Sequence, residues 1–110
     1  MRIIFLPEVL EYFNELTTIL YEKEYFGFEK SAFQYVDDLL TEIQTTISNR
    51  PKKIAPLYFE RYGTDMSYIA IKKNKNTQWY IFFTVYQYNE ETVYLVRHIS
   101  NNHVVSQFLI

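Results

Sequence analysis

The sequence predicts an α+β domain: two layers in the order β-α-α-β-β-β, with a helical hairpin packed on one face of a small, mainly antiparallel sheet. Three observations carry this. Apolar residues recur at helical spacing through the first half of the chain. In the second half they alternate at strand spacing. Short runs rich in Asn, Gly, Pro and Glu separate the periodic segments. At 110 residues, the chain suits one domain over 1–110 with one modest core.

The opening "RIIFL" is a short apolar run with β-branched residues and reads as a strand. Pro7 ends it and suits the first turn of a helix, where its missing N–H costs nothing. From residue 8 to about 25, Val9, Phe13, Leu16 and Leu20 form a stripe that Leu10, Tyr12 and Ile19 widen. Glu8, Glu11 and Glu15 fall in the first turns, where carboxylates oppose the positive end of the helix dipole. Gly27 interrupts the pattern and supports a turn. A second helix over residues 29–49 carries the stripe Phe33, Val36, Leu40, Ile43 and Ile47, with Ala32 and Leu39 beside it. "NRP" stops it, since Pro51 cannot continue a helix.

The period then changes. "PLYFERYGTDMSYIAIKK" reads as a strand, or as a strand broken at 62–65, and 67–73 is its clearest part. "NKNT" makes a turn, and "QWYIFFTVYQY" is a long aromatic and β-branched strand. "NEET" turns the chain into the last strand, "VYLVRHIS". In the tail, Val104, Val105, Phe108 and Leu109 are expected to pack down. The last three strands form an antiparallel meander, and the first must join their sheet, because a lone strand cannot satisfy its backbone groups.

Bulk properties narrow the class. The chain is 48% hydrophobic and 19% aromatic, far from disordered compositions. It has no cysteine, which rules out disulfides and thiolate chemistry and suits a reducing compartment. The N-terminal apolar run is too short for a secretory signal, and no window approaches a membrane span. The expectation is a soluble, cytoplasmic protein. Its net charge of −2 argues against a dedicated nucleic-acid binder. Residues 1–49 hold 3 basic and 9 acidic groups, net −6, and residues 50–110 hold 8 and 4, net +4. Such halves can serve different partners, or reflect only the Glu content of helix surfaces.

The opening "IIFLPEVLEYF", the helical hairpin, and the segment "QWYIFFTVYQYNEETVYLVRHISNNHVVSQFL" together resemble the RelE/ParE superfamily of toxins from bacterial type II toxin–antitoxin pairs. The resemblance spans essentially the whole chain and rests on length, element order and the C-terminal strand pair. It implies a growth-inhibiting toxin neutralised by a cognate antitoxin laid over the helices and sheet. ParE-like members poison DNA gyrase, whereas RelE-like members cut mRNA on the ribosome. The ParE-like reading is favoured here, because "QWYIFFTVYQY" contains no Lys or Arg. The rivals are the mRNA endonuclease and a non-toxic α+β protein-binding module.

RNA cleavage without a metal needs a base, an acid and a cation for the phosphorane. "VRHISNNH" holds both histidines of the chain and one arginine. The nuclease reading would therefore use His98 or His103 as acid or base, and Arg97 or Arg61 as the phosphate clamp. In a regular strand Arg97 and His98 point to opposite faces, so only one would reach the open side. Tyr80 and Tyr86 would stack bases or contact a target, and Lys72, Lys73 and Lys75 would add charge. Each has an ordinary alternative: a structural strand histidine, a solvated turn, an Arg61 pair with Glu60 or Asp65, sheet packing of tyrosines, a charged hairpin that blunts an edge. No cofactor is implied, and two histidines without cysteine make a weak metal site. An exposed apolar face over the helices would suit an antitoxin or a second copy of the chain.

Overall fold

The structure, a computed structural model, describes residues 1–22 and 29–109. The elements are β1 (Arg2–Phe5), α1 (Pro7–Glu22), α2 (Glu29–Thr46), β2 (Lys53–Ile54), β3 (Ser67–Lys72), β4 (Gln78–Tyr88), β5 (Glu91–Asn101) and α3 (Asn102–Val105). Two 3-10 turns cover Leu57–Tyr62 and Ser106–Phe108. The strands form one sheet in the order β1-β5-β4-β3-β2. β1 runs parallel to β5 and the other pairs are antiparallel. That parallel pair needs a long crossover, which the intervening helices and strands supply. The helical hairpin against a mainly antiparallel sheet is the α+β architecture expected. The turn assigned to Gly27, and residues 23–25 of the expected first helix, lie outside the described residues.

Helices and sheet share a mostly aliphatic core. Val9, Phe13 and Leu16 of α1 and Val36, Leu39 and Ile43 of α2, with Ile47 just beyond it, meet Ile69, Ile71, Trp79, Ile81, Phe83, Tyr94, Val96 and Ile99. The first stripe is largely as read, except that Leu10 and Ile19 are exposed. The second is rotated by about one residue: Ala32 and Leu39 are fully buried, whereas Phe33 is 62% exposed. Periodicity defines the pitch of a stripe but not which of two adjacent stripes turns inward. Glu42, near the end of α2, accepts from Arg50 and from Lys73 (3.1 Å), and Arg50 also donates to the Ala70 carbonyl (3.2 Å). This hub ties the end of α2 to β3 and its hairpin. Lys73 is thus an ion-pair partner, while Lys72 and Lys75 are exposed.

The opposite sheet face is also covered, which the sequence reading did not anticipate. Residues 57–62, read as strand, form a 3-10 turn instead. Its three-residue repeat puts Phe59 and Tyr62 on one side and Tyr58 and Arg61 on another. Phe59 stacks on Phe82 at 4.3 Å and Tyr62 stacks on His98 at 3.7 Å, and Phe82 and His98 are themselves cross-strand partners. Phe59, Met66, Tyr68, Phe82 and Val105 make a second, aromatic-rich cluster, against which Tyr80, Phe108 and Leu109 pack. Of the tail residues expected to pack down, Val104 does not: it is 62% exposed.

Candidate functional site

The site is built by a β-bulge. β4 alternates regularly, but its pairing with β5 runs Phe82↔His98 and then Phe83↔Val96, leaving Arg97 as an extra, unpaired residue. A bulge places two consecutive side chains against one partner and re-aims them. Val96 and Ile99 both enter the helix-side core, so the two residues between them share the other face. The expectation that Arg97 and His98 point to opposite faces is therefore corrected. The strand is not regular there, and its extra residue cancels the alternation.

Arg97 is held in place. Its Nε donates to the Thr84 hydroxyl (3.0 Å) and its Nη2 to the Tyr86 hydroxyl (3.0 Å). β4 thus contributes hydroxyls where it has no cations. Gly63 forms the wall behind the arginine: a Cβ there would lie 2.6 Å from Arg97 Cδ. Gly63 also has φ +155°, a region that L side chains rarely adopt. Among the described residues Arg97 Nη1 has no protein partner.

His98 is half-buried under Tyr62, with rings nearly parallel at 5°. Burial lowers its pKa from 6.5 to about 4, so it is neutral at physiological pH. Arg61 does not pair with Glu60 or Asp65. Its guanidinium lies 4.0 Å from the Tyr58 ring and donates to the Tyr58 carbonyl (3.0 Å), and Tyr58 in turn stacks on Phe108 at 3.7 Å. Arg61, Tyr62, Arg97 and His98 line one wall of a cavity of about 570 Å³, and Leu6, Glu8, Val9 and Tyr12 of the α1 side line the other. The lining thus carries two arginines and one carboxylate.

His103 stands apart. It is exposed in α3, 3.3 Å from the Thr77 hydroxyl, and lines a second cavity of about 510 Å³ with Trp79, Tyr35 and Leu16. The asparagines of "VRHISNNH" are structural. Asn101 caps α3 by accepting from the His103 N–H (2.9 Å). Asn102 accepts from the Gln78 N–H (2.8 Å) and donates to the Asn76 carbonyl (3.0 Å), which closes the tail onto the β3–β4 hairpin. Tyr80 belongs to the second cluster and accepts from Gln78 (3.2 Å), whereas Tyr86 is 44% exposed.

Of the residues singled out in the sequence, the structure brings together Arg61, Arg97, His98 and Tyr86, and separates His103, Tyr80 and the lysines from them. It adds Tyr62, Gly63, Thr84, Glu8 and Ser100. The signal for Gly63 was its rarity, as one of two glycines. Thr84 shares strand parity with Tyr80 and Tyr86 in "QWYIFFTVYQY", which marks it as a polar position of that face, whereas nothing in the sequence pointed to Ser100. Among the described residues there is no group of three or more His, Asp or Glu side chains placed to hold a metal, and no helix is long and apolar enough to cross a membrane. A scan against protein-family models and searches of curated proteins and of solved structures each found no match.

Proposed function

We propose that the chain is the toxin of a RelE/ParE-type toxin–antitoxin pair, working in the bacterial cytoplasm and silenced by a cognate antitoxin. Support comes from the element order and topology: a helical hairpin on a mainly antiparallel sheet, ended by the aromatic β4 and the Arg-His-bearing β5. Within that reading, a toxin that binds and poisons its target, as the gyrase-directed members do, fits the site better than a nuclease. One observation carries this choice. His98 sits half-buried against Tyr62 with a pKa of about 4, so on the order of one molecule in a thousand carries the proton at pH 7. An imidazole so placed is a poor general acid for the leaving 5′-oxygen. β4 offers no Lys or Arg to replace it.

The mRNA-endonuclease reading keeps one observation in its favour: the bulge brings Arg97 and His98 to the same face. A phosphate beside His98 would raise its pKa by favouring the charged form. Pulse-labelling after induction of the chain alone in bacterial cells separates the two. An early fall in thymidine incorporation is the expected result. An early fall in amino-acid incorporation, abolished by His98→Ala with antitoxin binding intact, would transfer the assignment to mRNA cleavage. If neither falls, the chain is a protein-binding module and not a toxin.

A further inference from the structure

The cavity beside β5 has a chemistry of its own, separate from any toxic activity. Its floor carries Ser100, only 7% exposed, whose hydroxyl has no hydrogen bond to any described residue. Buried polar side chains are nearly always bonded. No side-chain N or O atom that is sealed from solvent lacks a partner among the described residues, so this hydroxyl opens onto the cavity. Arg97, whose Nε and Nη2 are engaged among the described residues but whose Nη1 is not, lines the same cavity, as does Arg61. Leu6, Val9, Ile99 and Val104 supply its apolar lining, beside Tyr12, Tyr62, His98 and the carboxylate of Glu8.

We propose that this cavity binds a carboxylate carried on an apolar body, with the carboxylate between Arg97 and Ser100 and the apolar group against Leu6, Val9 and Val104. Arginine suits carboxylates because its fork matches two oxygens at once. The volume of about 570 Å³ falls in the range of ligand pockets. A nucleic-acid strand fits less well. The α1 wall carries Glu8, with Glu11 and Glu15 exposed further along the helix, and that row repels a polyanion while a single carboxylate can reach the guanidiniums. A small organic acid and the C-terminus of a protein chain ending in an apolar residue share this chemistry. The inference goes beyond the toxin reading and does not depend on it, because binding to the purified chain and toxicity in cells are scored separately.

The chain supplies its own reporters. Its two histidines sit one in each cavity, His98 in this one and His103 in the other. Titration of the full chain with 3-phenylpropionate, with its amide, and with the peptide acetyl-Leu-Phe should be followed by the NMR signals of the two imidazoles. The carboxylates should move the His98 signal and leave His103 in place, and the amide should bind at least about tenfold more weakly. Tighter binding of the peptide would identify a protein C-terminus as the source, and tighter binding of phenylpropionate a small acid. Ser100→Ala and Arg97→Gln should each weaken the carboxylate by about three- to tenfold or more, with the unshifted His103 signal reporting an intact fold. Equal binding of acid and amide, an unmoved His98 signal, or tighter binding of a short RNA than of either carboxylate would overturn the proposal.

Discussion

The two faces of the sheet are built on different principles. The helix-covered face is mostly aliphatic and continuous: Leu39, Ile43, Ile47, Ile69, Ile71, Ile81 and Val96 are fully buried, held by two helices of 16 and 18 residues. The other face is aromatic, covered among the described residues by two 3-10 turns and a four-residue helix. Short turns make few of their own hydrogen bonds, so this cover is held by stacking of Phe59 on Phe82, Tyr62 on His98 and Tyr58 on Phe108. The difference separates labour within one sheet. A continuous core carries stability, and the patchwork beside it leaves an arginine and a histidine half-exposed at a cavity.

Single truncations on each face test that division most strongly. Leu39→Ala should cost about 3 kcal/mol, within the range for fully buried leucines, and lower the stability of the whole domain. Phe59→Ala removes a larger side chain, also fully buried, yet should cost less, about 2 kcal/mol, because its turn can open locally. Denaturant unfolding gives both values. Hydrogen exchange should then show faster exchange in Phe59→Ala confined to the turn and to the β4 and β5 positions beneath it. A larger global loss for Phe59→Ala than for Leu39→Ala would mean that the aromatic face is the true core.

Acid should act through the second face. The pKa of His98 in the folded chain, about 4, lies below the unfolded value of 6.5. The unfolded chain therefore binds more protons between those pH values, and stability falls as pH drops from 6.5 towards 4. Part of the ring remains solvated, so the loss should be about 1–2 kcal/mol, less than the full shift would give. His98→Phe should abolish that component of the acid sensitivity. Undiminished sensitivity in the variant would place the titrating group elsewhere.

The smallest expected effect on stability, about 1 kcal/mol, belongs to Gly63→Ala, which strains a backbone at φ +155° and crowds Arg97 Cδ. Its effect on the cavity should be out of proportion. The displaced guanidinium should lose its bonds to Thr84 and Tyr86, and carboxylate binding should fall as far as in Arg97→Gln. Unchanged binding in Gly63→Ala would mean that the arginine finds its place without that wall.

The order of the main elements was legible in the residues, whereas the two-residue β2 and the four-residue α3 were not. Helical spacing in the first half, strand alternation in "SYIAIKK" and "QWYIFFTVYQY", and turn chemistry at "NKNT" and "NEET" are local signals, because they reflect the pitch of one element and the φ and ψ its residues allow. The candidate residues Arg61, Arg97 and His98 were also visible by type. What the sequence could not disclose was their grouping. The bulge at Arg97 exists only in the pairing of β5 with β4, and one inserted residue reverses every side chain beyond it. The 3-10 form of residues 57–62 depends on the rings of Phe82 and His98 beneath Phe59 and Tyr62, contacts made across a sheet, where tertiary packing overrides local preference. The rotation of α2 that exposes Phe33 and buries Ala32 has the same origin. Local periodicity allowed either stripe, and the choice fell to the fit of the whole helix against its neighbours.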